Sequence, residues 1–342
     1  MSKTILLSQD EVKSLITMDD VLASVDKTFK GMGDGTVINP TKVNLDLGET
    51  AEYPPYKGFM NAMPAYTGFS DTAGIKWAGG NLGLRKDLKL PYVTSLIMLI
   101  NPRLGNFTAV MDGAHITNMR TGAQTAIALK YLFNGGSDEK KDIRIGLYGA
   151  GMQGHTQTLA ISRKFNIKEL RVYDVYRPAA EKFKEDMQSV VDGEIIICDE
   201  PKDAAQGDVI VCVTQSKDKF VKDEWVKPGT ILFPMGSYQE CDDAFLLNAK
   251  KIVVDHVGQC LHRGALTELV AEGKLGEENI FGTIGELAAG KKEIGDYSDG
   301  KIVCIPIGTG AMDIGVASLV LERAKAKGIG GSYTFVEDGI ED

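Results

Sequence analysis

No stretch of this sequence is apolar for the length of a membrane span; the longest candidate, residues 92–100, is the size of a strand. The first residues lead straight into a folded pattern without an apolar leader, so the expected location is the cytoplasm, with no membrane partner. Basic excess is missing too. The net charge of −9 argues against nucleic acid or an anionic membrane as main partner, because both need a basic footprint. A small anionic substrate stays compatible with it, since a few buried cations dominate a local cleft. The five cysteines, Cys198, Cys212, Cys241, Cys260 and Cys304, are odd in number and scattered, several inside apolar runs. They read as reduced core residues and exclude a disulfide framework. Internal repeats and low-complexity tracts are absent.

What is present suits a soluble enzyme. At 342 residues, two domains are expected, and 43% hydrophobic content supplies apolar area for two cores. Ser8 and Thr17 each precede an acid by three residues, a helix-start signature. Val21, Leu22, Val25 and Phe29 then recur at helical spacing until the glycines at 31–35. Residues 42–47 alternate as a half-buried strand should, and residues 94–100 and 106–111 flank a turn-rich spacer that predicts a hairpin. A helix is expected over about 117–133. Beyond the polar run 134–141 the chain alternates strand and helix, with strands expected at 143–148, 169–174, 194–198, 209–213, 230–234, 251–255 and 302–306. That alternation predicts a parallel, doubly wound α/β sheet. The last strong helix runs from about 310 to 327, and a polar tail ends at Glu341 and Asp342.

The apolar strand 143–148 leads directly into Gly149-x-Gly151-x-x-Gly154, and a helical pattern follows. In that context the first glycine permits the turn and the second lets a pyrophosphate approach the backbone. The third allows helix and strand to pack closely, and the helix N-terminus offers N–H groups to the phosphate. Asp174 ends the next strand 23 positions after Gly151. A carboxylate there meets ribose hydroxyls and repels a 2′-phosphate, favouring NAD over NADP; Arg177, three residues on, softens that preference.

Residues 58–66 (Gly-Phe-Met-Asn-Ala-Met-Pro-Ala-Tyr), 73–77 (Ala-Gly-Ile-Lys-Trp), 111–113 and 119–123 (Met-Arg-Thr-Gly-Ala) precede the glycine loop, and Gly308-Thr309-Gly310 follows far beyond it. On these segments the chain resembles the ornithine cyclodeaminase/μ-crystallin family along nearly its whole length. The resemblance implies a Rossmann doubly wound sheet inserted into a mixed α+β domain for substrate binding and dimerisation. The expected boundaries are 1–121 plus 312–342 for the substrate domain and 122–311 for the NAD-binding domain, in a homodimer. It also implies that Met152, Gln153, Thr121, Thr214, Gly236, Thr309 and Gly310 join the cofactor site.

Lys76 lies in an otherwise apolar strand, where a lysine must snorkel, pair or line a site. Arg120 stands at an expected helix start. Both match positions that resemble the family's carboxylate clamp. An arginine fork meets a carboxylate with two parallel hydrogen bonds, and a desolvated lysine is suited to proton transfer. Lys42 stands where the family commonly has an arginine; it reads equally as an exposed strand lysine.

Two departures bear on the reaction. Tyr238 falls where cyclodeaminases place a loop aspartate, and a tyrosine is a far weaker base at neutral pH. This counts against ornithine cyclisation. Glu240 or Asp242 either reaches into the site or caps the next helix. The family often has an aspartate at position 315, here Gly315. Asp313 lies two positions earlier, about 200° around a helix, so it is not expected to replace that group. Asp255, His256, Cys260 and His262 fit no standard zinc spacing, and no metal is expected. His262 and His115 are minor site candidates, and Trp77 and Trp225 read as core or cleft wall.

The expectation is an NAD-dependent dehydrogenase or imine reductase acting on an amino acid or its imine. Lys76 and Tyr238 would be catalytic, and Lys42, Lys76 and Arg120 would bind substrate. The alternatives are ornithine cyclodeamination and a non-catalytic cofactor-binding protein of crystallin type.

Overall fold

The two N-terminal hydroxyl–acid pairs act as their spacing predicts. In this computed structural model, which describes residues 3–81 and 83–337, Ser8 and Glu11 close a capping box on the Gln9–Leu15 helix. Thr17 and Asp20 do the same for the Met18–Asp34 helix, which buries Val21, Leu22, Val25 and Phe29. Each box satisfies two helix-end N–H groups that would otherwise lack partners. The second helix passes through Gly31 and ends at Gly35, whose φ of 79° permits the left-handed cap. The expected tail residues Glu341 and Asp342 lie outside the described residues.

The chain divides into two units, Met1–Arg120 with Thr309–Asp342, and Thr121–Gly308. The first holds strands β1 (Thr4–Leu7), β2 (Val37–Ile38), β3 (Val43–Leu47), β4 (Gly58–Thr67), β5 (Thr72–Asn81), β6 (Val93–Ile100) and β7 (Phe107–Asp112). The second holds β8 (Asp142–Tyr148), β9 (Asn166–Tyr173), β10 (Glu194–Ile197), β11 (Val209–Cys212), β12 (Ile231–Pro234), β13 (Lys251–Val254), β14 (Ile280–Thr283) and β15 (Ile302–Ile305). The last strand, β16 (Gly331–Tyr333), returns to the first unit.

The first sheet has the order β16-β1-β7-β6-β5-β4-β2, with β3 added on β4; it is antiparallel except where β1 meets β7. The predicted β6–β7 hairpin is present. Side chains alternate across β5. Lys76 and Ala78 are buried on the face that carries the Gly310–Lys327 helix, while Trp77 points to the other face. Trp77 is 55% exposed and so belongs neither to the core nor to a closed cleft. Residues 42–47 also differ from expectation. The strand begins at Val43, and Val43 and Leu45 are exposed, because the edge strand rests on β4 with neither face covered.

In the second unit all eight strands are parallel, in the order β10-β9-β8-β11-β12-β15-β13-β14. Seven are those the alternation predicts; β14 is additional. The order reverses beside β8, the topological switch point at which such sheets bind ligands. All five cysteines are free thiols and buried. Trp225 packs half-buried against this unit's core.

Candidate active site

The C-terminal helix, Gly310–Lys327, brings an acid to the two cations. Asp313 accepts from Lys76 Nζ at 2.7 Å through Oδ2, and from Arg120 Nε at 3.2 Å and Thr117 Oγ1 at 3.1 Å through Oδ1. Lys76 is 2% exposed, Arg120 6% and Asp313 0%. Positions 313 and 315 face different ways, as their rotation about the helix predicts, and it is Asp313 that meets the cations. A Cβ on Gly315 would meet Thr28, Phe69 and Ser24, so position 315 faces the Met18–Asp34 helix while position 313 faces the cations. Arg120, against expectation, is not at a helix start. Its helix, Ala114–Asn134, begins six residues earlier, which places Thr117 one turn before Arg120 on the same face. Thr117 was not a candidate from sequence, although its i, i+3 spacing from Arg120 was available as a signal.

Burial depresses the Lys76 pKa and Arg120 adds to this, against the opposing pull of Asp313, leaving it at about 8. Burial alone would raise Asp313; the charges of Arg120 and Lys76 outweigh it and hold the carboxyl below its ordinary value. One carboxylate thus lies between two cationic side chains. Lys42 stands half-buried just before β3. His115 is in the first turn of the Ala114–Asn134 helix, where burial and then Lys13 lower its pKa against Asp112.

In the second unit, Gly149 has φ +100°, and a Cβ there would lie 2.7 Å from the Val213 carbonyl oxygen. A Cβ on Gly154 would lie 2.4 Å from the Gly149 oxygen, whereas one on Gly151 would have open space for at least 4 Å. Gly151 also N-caps the Met152–Lys164 helix with no side-chain cap. Open space over a helix N-terminus without a side-chain cap fits a pyrophosphate. Met152 is 60% exposed beside it. Asp174, one residue past β9, accepts from Ala150 N and Tyr176 N, each at 2.8 Å, which holds its carboxylate against the loop. Arg177 is engaged by Glu181 and Asp199.

The Thr121 carbonyl accepts from Gln157 Nε2, whose own helix carries Gln153. Thr309 caps the C-terminal helix without a side-chain bond; it is fully buried and its hydroxyl has no partner, an orphan that a ligand would satisfy. Gly310 follows it as the first helical residue. Tyr238 is half-buried, with Lys217 Nζ 5.3 Å from its ring centre. Asp242 does cap the next helix, accepting from Phe245 N at 3.0 Å. Glu240 caps nothing and instead binds the residues at 214 and 236.

Asp255 accepts from Gly308 N at 2.7 Å and Gln124 Nε2 at 3.4 Å, and His256 accepts from Gln259 N. Among the described residues no group of three or more His, Cys, Asp or Glu is arranged to hold a metal ion. His262 lies exposed beyond the Val257–Cys260 helix.

The model of the ornithine cyclodeaminase/mu-crystallin family matches residues 2–328. The chain belongs to that family. It is 36% identical over 339 residues to alanine dehydrogenase of Archaeoglobus fulgidus, covering 97% of this chain and 99% of that protein. An archaeal alanine dehydrogenase dimer solved with bound NAD superposes with a TM-score of 0.87 at 35% identity, covering 98% of this chain and 100% of the other. Thermococcus litoralis Δ1-pyrroline-2-carboxylate reductase, solved with NADH and L-proline, gives 0.86 at 28% identity, covering 96% and 99%. The fold class implied by the resemblance is thus the observed one.

Proposed function

We propose that this member of the family is an NAD-dependent oxidoreductase that moves a hydride between nicotinamide and the α-carbon of an amino acid or its imine. The observation that carries the reading is the buried Lys76–Asp313–Arg120 cluster, in a chain that also has a glycine loop fitted to a dinucleotide. Two buried cationic side chains side by side suit a substrate carboxylate. Arg120 supplies a planar donor fork and Lys76 a compact charge, while Asp313 holds both in place. NAD supplies the hydride acceptor when bound. Gly149, Gly151, Gly154 and Asp174 would hold it, with Met152, Gln153, Thr121, Thr214, Gly236 and Arg177 as further candidates in the same unit and Thr309 and Gly310 as candidates in the first unit. Lys76, buried and with its pKa lowered, is suited to hold or move a proton, with Tyr238 as hydrogen-bond donor. Lys42 is a further carboxylate contact.

The same reading extends to a cytoplasmic homodimer. Leu6, Val43, Leu45, Trp77, Leu96 and Phe107 are all more than a third exposed on the face of the first sheet turned away from the C-terminal helix. Such a continuous apolar face needs a cover, and a second copy of the chain supplies one. No helix among the described residues is long and apolar enough to cross a membrane.

The test is NAD(H) absorbance at 340 nm against alanine and other amino acids, 2-oxo acids with ammonia, and cyclic imines. Net NADH production or consumption supports a dehydrogenase or reductase. Silence across the panel, with proline formed from ornithine, would mean cyclodeamination despite Tyr238. Cofactor binding without turnover of any kind would mean a binding protein.

A further inference from the structure

Glu240 follows β12 by six residues and has no exposed surface. Its carboxylate accepts three hydrogen bonds: Oε1 from Thr214 N at 2.9 Å and Thr214 Oγ1 at 2.7 Å, and Oε2 from Gly236 N at 2.8 Å. Thr214 lies just past β11 and Gly236 just past β12, two adjacent parallel strands. β11 is also the neighbour of β8, whose end carries the Gly149–Gly154 turn. One carboxylate thus ties the loop after β12 to the loop after β11, which borders the switch point of the sheet, where a doubly wound fold takes its ligand.

Each participant is committed to this arrangement. The Thr214 hydroxyl donates to Glu240 and accepts from Ser216 N at 3.2 Å. A Cβ on Gly236 would sit 2.7 Å from the Glu240 carboxyl carbon, so only glycine lets the carboxylate seat. The Glu240 carbonyl in turn accepts from Phe220 N and Val221 N, anchoring its backbone. A neutral or apolar residue would fill this space without desolvating a charge, so the fold has no packing reason to keep a glutamate here.

We propose that Glu240 is a positioning residue of the cofactor site, setting the Thr214 and Gly236 loops at the same end of the sheet as the Gly149–Gly154 turn. This rests on the NAD reading above. Burial pushes the Glu240 pKa up against the pull of its three hydrogen bonds. A carboxyl raised in the fold subtracts stability once ionised, so removing its charge offsets part of the cost of the lost bonds.

The test is NADH affinity by fluorescence titration of wild type, Glu240→Gln and Thr214→Val, with melting temperature and amide exchange of residues 214 and 236 measured alongside. The expected result is a Kd raised about tenfold in Glu240→Gln, or ~1.4 kcal/mol, with faster exchange at both amides and a melting temperature close to wild type. KM for NAD rises with it, while the substrate KM at saturating NAD is kept. Thr214→Val, which removes one donor and keeps the charge, is expected to move Kd and exchange in the same direction by less, and keeps the test open if Glu240→Gln does not fold. Wild-type Kd in the variants, or a Kd that changes only in step with the melting temperature, would overturn the proposal alone. A wild type that binds no NADH would overturn the cofactor reading itself.

Discussion

Lys76 and Asp313, 237 residues apart in sequence, are joined at 2.7 Å, and neither side chain is appreciably exposed. The pair links β5 to the C-terminal helix, and Arg120 completes it from a third element. Removing the shared acid leaves two buried cations facing each other. Asp313→Asn is therefore expected to cost ~3 kcal/mol or more in urea denaturation. Lys76→Met is expected to cost less, because the Arg120–Asp313 and Thr117–Asp313 bonds survive it. Equal losses for both variants would contradict the account of Asp313 as the common partner.

The depressed Lys76 pKa has two consequences with pH. Below about 8 the lysine is charged and draws a carboxylate, so the KM of a carboxylate substrate should climb as pH rises through that value. Lys76→Arg should remove this limb. For folding the sign is opposite. The unfolded chain keeps the proton up to the ordinary value of 10.5 while the folded one gives it up near 8, so the Lys76 contribution to stability grows between these values as pH rises. A substrate KM that is flat from pH 7 to 9 would count against the clamp.

Asp174 bears on cofactor choice. Its carboxylate is held against the glycine loop by Ala150 N and would repel a 2′-phosphate. Asp174→Ser is expected to lower the NAD/NADP ratio of kcat/KM by about 10- to 100-fold, or roughly 1.4–2.8 kcal/mol of discrimination. An unchanged ratio would place the selectivity elsewhere.

The outward sheet face makes a prediction about assembly. Trp77 pairs across β6 with Leu96, both exposed. Trp77→Glu should weaken a dimer built on this face by more than ~2 kcal/mol, seen as monomer in sedimentation at micromolar protein. A dimer of wild-type strength would direct the interface to another surface.

Much of this was legible in the sequence where the signal is local. The capping boxes at Ser8 and Thr17, the turn at Gly149 and seven of the eight strands of the parallel sheet all follow from short-range spacing. Lys76 stood out because a cation in an apolar strand needs a partner, and Arg120 because it matches the clamp position that the family resemblance implies. Asp313 did not, because the rotation between positions 313 and 315 says nothing about which side of the helix meets the sheet; tertiary packing decides that. Trp77 read as core or cleft wall because an apolar residue in a strand gives no hint that its face is left open. β14 is four residues with a glycine inside, too short to show a period, and it pairs with β13 through a register shift. Glu240 sits just before a helix and so read either as a cap or as reaching into the site, while its partners are Gly236 in its own loop and Thr214, 26 residues away in the loop after β11.

The central claim is hydride transfer to the α-carbon, and isotope tracing tests it most directly. Wild-type protein would be given NADH deuterated at the transferable C4 position, together with pyruvate plus ammonia or a cyclic imino acid, and the product amino acid examined by NMR. The account predicts one deuterium at the α-carbon, and none formed by Lys76→Ala. Amino acid formed without deuterium at that carbon, or at wild-type rate by Lys76→Ala, would contradict it.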